Sequence, residues 1–292
     1  MQWRTFHRHC IGISMSLLSA KRRAAYLLAA LPLMLCSASA AAVSSGSPPR
    51  LTSSSVLVAD ANTGEVLLQR GGTGAVPIAS ITKLMTAIVI VDARLDLDEV
   101  ITITRADVDL QRFSSSRLPV GAQITRRQAL QLALMSSENR AAHALARTFP
   151  GGTDVFIRIM NNIGREIGMT SSRFADATGL SAANTSTPTD LDTLLRAAYS
   201  RPIVRDASIA RSYSLRLPRQ RQRLEYLNSN RLVHAGVPVA TQKTGFINES
   251  GRTLVARIVG THRTLHVVLL GSPGSAERAV DAMRIKRWAD HV

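Results

Sequence analysis

Cysteine and lysine are nearly missing from this 292-residue sequence. Its two cysteines, Cys10 and Cys36, both fall in the first 40 residues. The chain beyond them can build no disulfide, no thiolate nucleophile and no Cys-ligated zinc site. Aromatic residues make up only 4%, which is sparse for the stacking platforms that hold single-stranded nucleic acid. No glycine-rich phosphate loop is present. The histidines beyond residue 40 are His143, His234, His262, His266 and His291. His262 and His266 flank an expected hairpin turn, so they do not share a helix face as metal ligands would. No metal site and no cofactor are expected.

Lysine is rarer than charge alone requires. The 36 basic residues include only Lys21, Lys83, Lys243 and Lys286 as lysines. Where a position needs only positive charge, this chain uses arginine, which keeps its proton near neutral pH; lysine can lose its proton when its pKa is lowered. Each retained lysine is therefore a candidate for chemistry.

What is present is a globular composition with strong basicity. Hydrophobic residues make up 45%, which excludes disordered, collagen-like and coiled-coil classes. The formal charge is +16. Residues 1–40 hold five basic residues and no acidic one; the remainder carries 31 basic against 20 acidic residues, a net charge of +11. Such a protein is drawn to anionic surfaces.

The N-terminal segment has the order of a secretory signal. Arg22 and Arg23 precede the apolar run Ala24–Cys36, and the small residues Ser37–Ala42 follow. Thirteen apolar residues are short of the ~20 that span a bilayer. Cys36 follows Leu35 rather than a small residue, so lipid attachment there is not expected. The organisation read from the sequence is a signal peptide over 1–40, a polar Pro-containing linker over 41–52 and one domain over 53–292.

Within the domain, Val56–Ala59 and Glu65–Gln69 flank a turn at Asp60–Gly64 and predict a hairpin. After Pro77, the spacing of Ile81, Leu84, Met85, Ile88 and Val91 predicts a helix that begins at Ser80. Glu99–Thr104 reads as a strand. Helices are expected from Thr125, over Asn139–Thr148, over Thr153–Met169 and from Pro188 to about Ser200, with Ser136–Asn139 as an interruption. Ser212–Leu217, Val239–Phe246, Thr253–Val259 and Thr264–Leu270 read as strands. Ala276–Trp288 closes as a helix. The order predicts an α+β fold: a mostly antiparallel sheet flanked by helices, a helical lobe, and the active site between them.

Three motifs carry chemistry. Ser80 and Lys83 stand three apart at a helix start, so their side chains share a face; a neutral lysine there can take the serine proton. Ser137-Glu138-Asn139 lies in an interhelical break, where a hydroxyl and an amide can turn into one cleft. Lys243-Thr244-Gly245 lies in a strand, where charge and hydroxyl suit an anionic group and glycine lets another backbone approach. Each alone is weak. In this order, with 57 and then 106 residues between their first positions, they are specific.

The chain here resembles the low-molecular-mass penicillin-binding proteins, the D-alanyl-D-alanine peptidases. The resemblance runs from about Val56 to the C-terminus and includes Val58–Gly64, Pro77–Thr86, Phe174–Leu180, Asn184 and Ser186–Leu191. Ser136-Ser137-Glu138-Asn139-Arg140-Ala141-Ala142 most resembles the penicillin-binding protein 7 type, a D-alanyl-D-alanine endopeptidase that cuts peptidoglycan cross-links. The resemblance implies that Ser80 attacks a D-Ala carbonyl and forms an acyl-enzyme, with Lys83 as base. Ser137 then passes a proton to the leaving amine and Asn139 positions substrate. Lys243 and Thr244 would hold the carboxylate beside the scissile bond. The N–H groups of Ser80 and of Phe246, which follows Gly245, would form the oxyanion hole. Peptidoglycan stem peptides and cross-links are the implied partners, and β-lactams would acylate Ser80 and leave slowly.

Other readings have specific marks. A carboxypeptidase would use the same residues on an uncrosslinked stem. A class A β-lactamase resemblance would require E-x-x-L-N before the third motif, but Glu166 is followed by Ile167-Gly168-Met169-Thr170. A non-catalytic wall-binding protein would not need all three motifs. Nucleic acid follows from charge alone and is not expected. The densest basic run, Arg216–Arg223, suits anionic wall polymer or a membrane surface. The expected mature protein is periplasmic, either soluble or loosely held to membrane by charge.

Overall fold

The computed structural model describes residues 46–217 and 223–291. The expected signal segment, the start of the linker and the middle of the basic run Arg216–Arg223 lie outside the described residues.

The first half runs β1 (Ser55–Asp60), β2 (Val66–Arg70), β3 (Val76–Pro77), a 3-10 turn at Ala79–Ile81, α1 (Thr82–Asp92), β4 (Val100–Thr102), β5 (Gln123–Thr125), α2 (Arg126–Met135), α3 (Asn139–Arg147) and α4 (Gly152–Glu166). The second half runs β6 (Thr185–Ser186), α5 (Pro188–Tyr199), α6 (Pro202–Ile209), β7 (Ser212–Leu215), β8 (Leu224–Leu227), α7 (Arg231–His234), β9 (Val239–Ile247), β10 (Gly251–Val259), β11 (Thr264–Ser272) and α8 (Ser275–Ala289). The fold is α+β, as the element order predicts.

The main sheet has five strands in the order β2-β1-β11-β10-β9, all paired antiparallel. Side chains alternate across it, as strand geometry requires. Val56 and Val58 join Val267, Leu269, Ala282 and Ile285 in a core under α8. Leu57 and Ala59 join Val268, Leu270 and the helical lobe in a second, larger core. Both faces of the sheet are covered, so β1 is buried at all six positions.

Helix α1 runs through the larger core. Every residue from Thr82 to Ile90 is buried, which marks a helix packed on all sides. Local chemistry sets the neighbouring helix starts. Thr125 and Gln128 form a reciprocal capping box at α2. Thr187 caps α5 ahead of Pro188. The Glu138 carboxylate accepts from the Arg140 N–H and caps α3, so the residue between Ser137 and Asn139 is itself the cap.

Beyond the short elements β3, β5, β6 and α7, which no pattern in the sequence announces, three elements differ from expectation. The strand expected at Ser212–Leu217 forms as β7, but it pairs with β8 in a separate two-stranded sheet. Its partner, Leu224–Leu227, is only four residues beside a basic run, too short to carry a period of its own. The eight-residue α6 is entered through Pro202 directly after α5, where a turn would read the same way.

Candidate active site

The 3-10 turn Ala79–Ile81 carries Ser80 at the entrance to α1. This turn is wedged against two other backbones. A β-carbon at Gly245 would lie 2.9 Å from the Ser80 nitrogen and 2.5 Å from Thr253 Oγ1. One at Gly179 would lie 1.9 Å from the Ala79 carbonyl oxygen. Glycine is thus required at both contacts. The approach that Gly245 permits is made by the serine turn itself. Ala79 pays for the fit with a φ of 49°, in the left-handed region that alanine disfavours.

Lys83 follows one turn later and is 0% exposed. Its Nζ lies 2.9 Å from Ser80 Oγ, 2.7 Å from Asn139 Oδ1 and 2.6 Å from the Thr178 carbonyl oxygen. Burial pushes its pKa down from the ordinary lysine value to about 7, against the opposing pull of Asp176 and Glu138. A neutral lysine has two N–H donors and one lone pair. With Asn139 and Thr178 taking the donors, the lone pair is left facing the Ser80 hydroxyl.

Both acceptors are held from behind. Asn139 Nδ2 donates to Ser114 Oγ at 2.8 Å, with Oδ1 turned to Lys83. The Asp176 carboxylate accepts the N–H groups of Thr178, Gly179 and Ser181 and the side-chain amide of Asn184. That clasp shapes the loop that aims the Thr178 carbonyl at Lys83. Ser137 stands at φ 63°, a strained turn conformation that brings it to the cleft wall.

The cleft has a volume of about 420 Å³. Of the residues singled out from the sequence, Ser80, Ser137, Asn139, Thr244, Gly245 and Phe246 line it. Lys83 and Lys243 are fully buried and do not. Lys243 donates to the Thr244 carbonyl oxygen at 2.8 Å. Burial, with the positive charges of Lys83 and Arg278, holds its pKa well below the usual lysine range. The Thr244 hydroxyl is 2.7 Å from that of Ser229. β9 is an edge of the main sheet, so an extended peptide can pair along it beside Ser80.

Sequence reasoning missed the arginines. Arg112, Arg252 and Arg278 line the cleft, and none of its described lining residues is acidic. Arg112 is paired with Glu249 at 2.8 Å. Arg278 donates to the Thr253 carbonyl oxygen. Burial, with Arg252 and Arg231 nearby, lowers its pKa to about 10. In a chain with so many arginines, nothing in the spacing distinguishes these three. Glu166 is exposed at the end of α4, away from the cleft, so it cannot serve there as a water-activating base.

A serine hydroxyl, a buried lysine that can be neutral and a cationic pocket beside an edge strand define a serine hydrolase that works by acyl transfer. The profile of the D-alanyl-D-alanine carboxypeptidase family matches residues 42–274, and the chain belongs to that family. It is 40% identical over 273 residues to the D-alanyl-D-alanine endopeptidase of Pseudomonas aeruginosa, covering 90% of this chain and 88% of that one. It is 37% identical over 254 residues to the D-alanyl-D-alanine endopeptidase of Escherichia coli, covering 87% and 82%. Among solved structures, a Streptomyces DD-transpeptidase superposes with a TM-score of 0.79 at 25% identity, covering 85% of this chain and all of the other. A D-alanyl-D-alanine carboxypeptidase from Mycobacterium tuberculosis superposes at 0.76 and 26%, covering 85% and 95%.

Proposed function

We propose that this chain is a serine D-alanyl-D-alanine endopeptidase that cuts peptidoglycan cross-links. The observation that carries the chemistry is the placement of Lys83: fully buried, its pKa lowered to about 7, with Nζ 2.9 Å from Ser80 Oγ. The choice of cross-links over free stem termini is supported by the two relatives named endopeptidases, at 40% and 37% identity.

Lys83 accepts the Ser80 proton as Oγ adds to the D-Ala carbonyl carbon. The backbone N–H groups of Ser80 and Phe246 receive the charge that develops on the carbonyl oxygen. As the C–N bond breaks, the leaving amine takes a proton relayed from Lys83 through the Ser137 hydroxyl. Asn139 holds the peptide backbone and Lys83 together. Thr244 and Arg278 hold the carboxylate next to the scissile bond, and Lys243, buried behind them, braces the strand through the Thr244 carbonyl oxygen. Water then attacks the ester, releasing the acid and restoring Ser80. Since no carboxylate among the described residues lines the cleft, water in the acyl-enzyme meets no acidic base. A penicilloyl ester on Ser80 should therefore turn over more slowly than in a hydrolase that holds a carboxylate against the water.

The carboxypeptidase reaction uses the same steps, and the family profile bears that name, so it stands as the second reading. Export through residues 1–40, with cleavage to a periplasmic domain, completes the proposal. Fluorescent penicillin tests the acyl-enzyme. The mature protein should label on the peptide that holds Ser80, and the Ser80→Ala variant should not. Labelling elsewhere would remove Ser80 as nucleophile.

A further inference from the structure

The three cleft arginines are not equivalent. Arg112 has Glu249 as its counter-charge, whereas Arg252 and Arg278 have no carboxylate partner among the described residues. Arg278 is buried, with one donor spent on a backbone carbonyl. Arg252 is built differently. The register of β9 and β10 sets it directly opposite Phe246. Its guanidinium lies 3.7 Å from the centroid of the Phe246 ring, which is 46% exposed. Stacking occupies the flat face of a guanidinium and leaves the N–H groups on its edge free. The ring thus acts as a rigid shelf that holds a cation at the cleft wall with its donors unspent.

Two uncompensated cations at one end of a cleft call for two anions. The leaving group of a carboxypeptidase is free D-alanine, which carries a single carboxylate. The leaving group of an endopeptidase is a whole stem peptide. In a cross-link through a diamino acid whose reacting amine sits on a carboxylate-bearing carbon, that stem carries one carboxylate beside the scissile bond. A second stands at its own C-terminus. The first suits the buried, narrow setting of Thr244 and Arg278. The second, on a longer and more mobile chain, suits an exposed shelf.

We propose that Arg252, stacked on Phe246, is a specificity-determining subsite that binds the C-terminal carboxylate of the acceptor stem in a cross-linked substrate. The inference rests on the endopeptidase reading and names the part of the cleft that favours a cross-link.

The test uses two cross-linked muropeptide dimers that differ only at the acceptor C-terminus, free carboxylate in one and amide in the other. Each is given to the mature wild-type protein and to the Arg252→Gln variant. For the wild type, kcat/KM should favour the free acid by about tenfold to a hundredfold, the effect of one charge-assisted contact. For Arg252→Gln, that preference should fall to about one. Both substrates are compared on the same protein, so a general loss of folding cancels. Phe246→Leu should give a smaller preference than wild type, because the shelf is lost while the cation remains. A wild-type ratio near one, or a ratio that survives in Arg252→Gln, overturns the subsite. Failure of the underlying reading looks different: the wild type cuts neither dimer yet releases D-alanine from pentapeptides.

Discussion

Lys83 must be buried to lose its proton and hydrogen-bonded to stay in place. Desolvation lowers its pKa to about 7, while Ser80, Asn139 and Thr178 fix its Nζ. The basic form is the neutral one. The rate of acylation by penicillin should therefore be low below pH 7, rise as the proton leaves and level off above, with an apparent pKa near 7. A stopped-flow pH series measures this; a rate that falls through the same range would assign the wrong base. Lys83→Arg keeps the charge but cannot deprotonate, and should slow acylation by about a thousandfold or more. At this scale Ser80, Lys83, Ser137 and Asn139 were legible because each motif is short and its residue types are chemically uncommon in combination. Ser114 and the Thr178 carbonyl were not. The first is one serine among three, and a backbone carbonyl can belong to any residue. Arg252 and Arg278 were hidden by the same arginine excess that made the lysines visible.

Between elements, the site depends on backbones pressed together. The serine turn sits between the Asp176-clasped loop and β9, and Gly179 and Gly245 are the points of contact. Gly179→Ala would place a β-carbon 1.9 Å from the Ala79 carbonyl oxygen, at a φ of 81° that alanine also resists. It should cost about 2–4 kcal/mol of stability and slow acylation at least tenfold, because relief of the clash moves Ser80. Thermal denaturation and penicillin labelling check the two parts; a loss of stability with a normal acylation rate would separate the loop from the nucleophile. The elements that build this arrangement were mostly readable. Capping residues at Thr125 and Thr187 and the apolar period after Ser80 fall where α2, α5 and α1 begin. The pairing of β7 with β8 was not readable, since short strands with the same composition fit either sheet.

Across the whole domain, the two ends of the described chain are locked by one carboxylate. Asp281 on α8 accepts the N–H groups of Thr52 and Ser53 and both their hydroxyls, across more than 220 residues of sequence. Asp281→Ala would leave buried donors unpaired. It should lower the melting temperature by roughly 6–12 °C, from a loss of about 3 kcal/mol. An unchanged transition in a thermal scan would show that water replaces the carboxylate without cost. Net charge acts at this scale as well. Residues beyond 40 carry +11, so the Ser80→Ala variant of residues 41–292 should still bind purified wall sacculi and be released as salt rises past the physiological range. Salt-independent retention in a pull-down would point to a non-electrostatic contact.

What distinguishes the proposed endopeptidase is Ser80-dependent cleavage of the bond between two stems. The measurement that tests it most directly gives the mature protein and its Ser80→Ala variant cross-linked muropeptide dimers and, separately, monomeric pentapeptides, with products weighed by mass spectrometry. Dimers should become monomers only when Ser80 is present, while pentapeptides survive. Terminal D-alanine released from pentapeptides with dimers intact would contradict the endopeptidase reading and make the protein a carboxypeptidase.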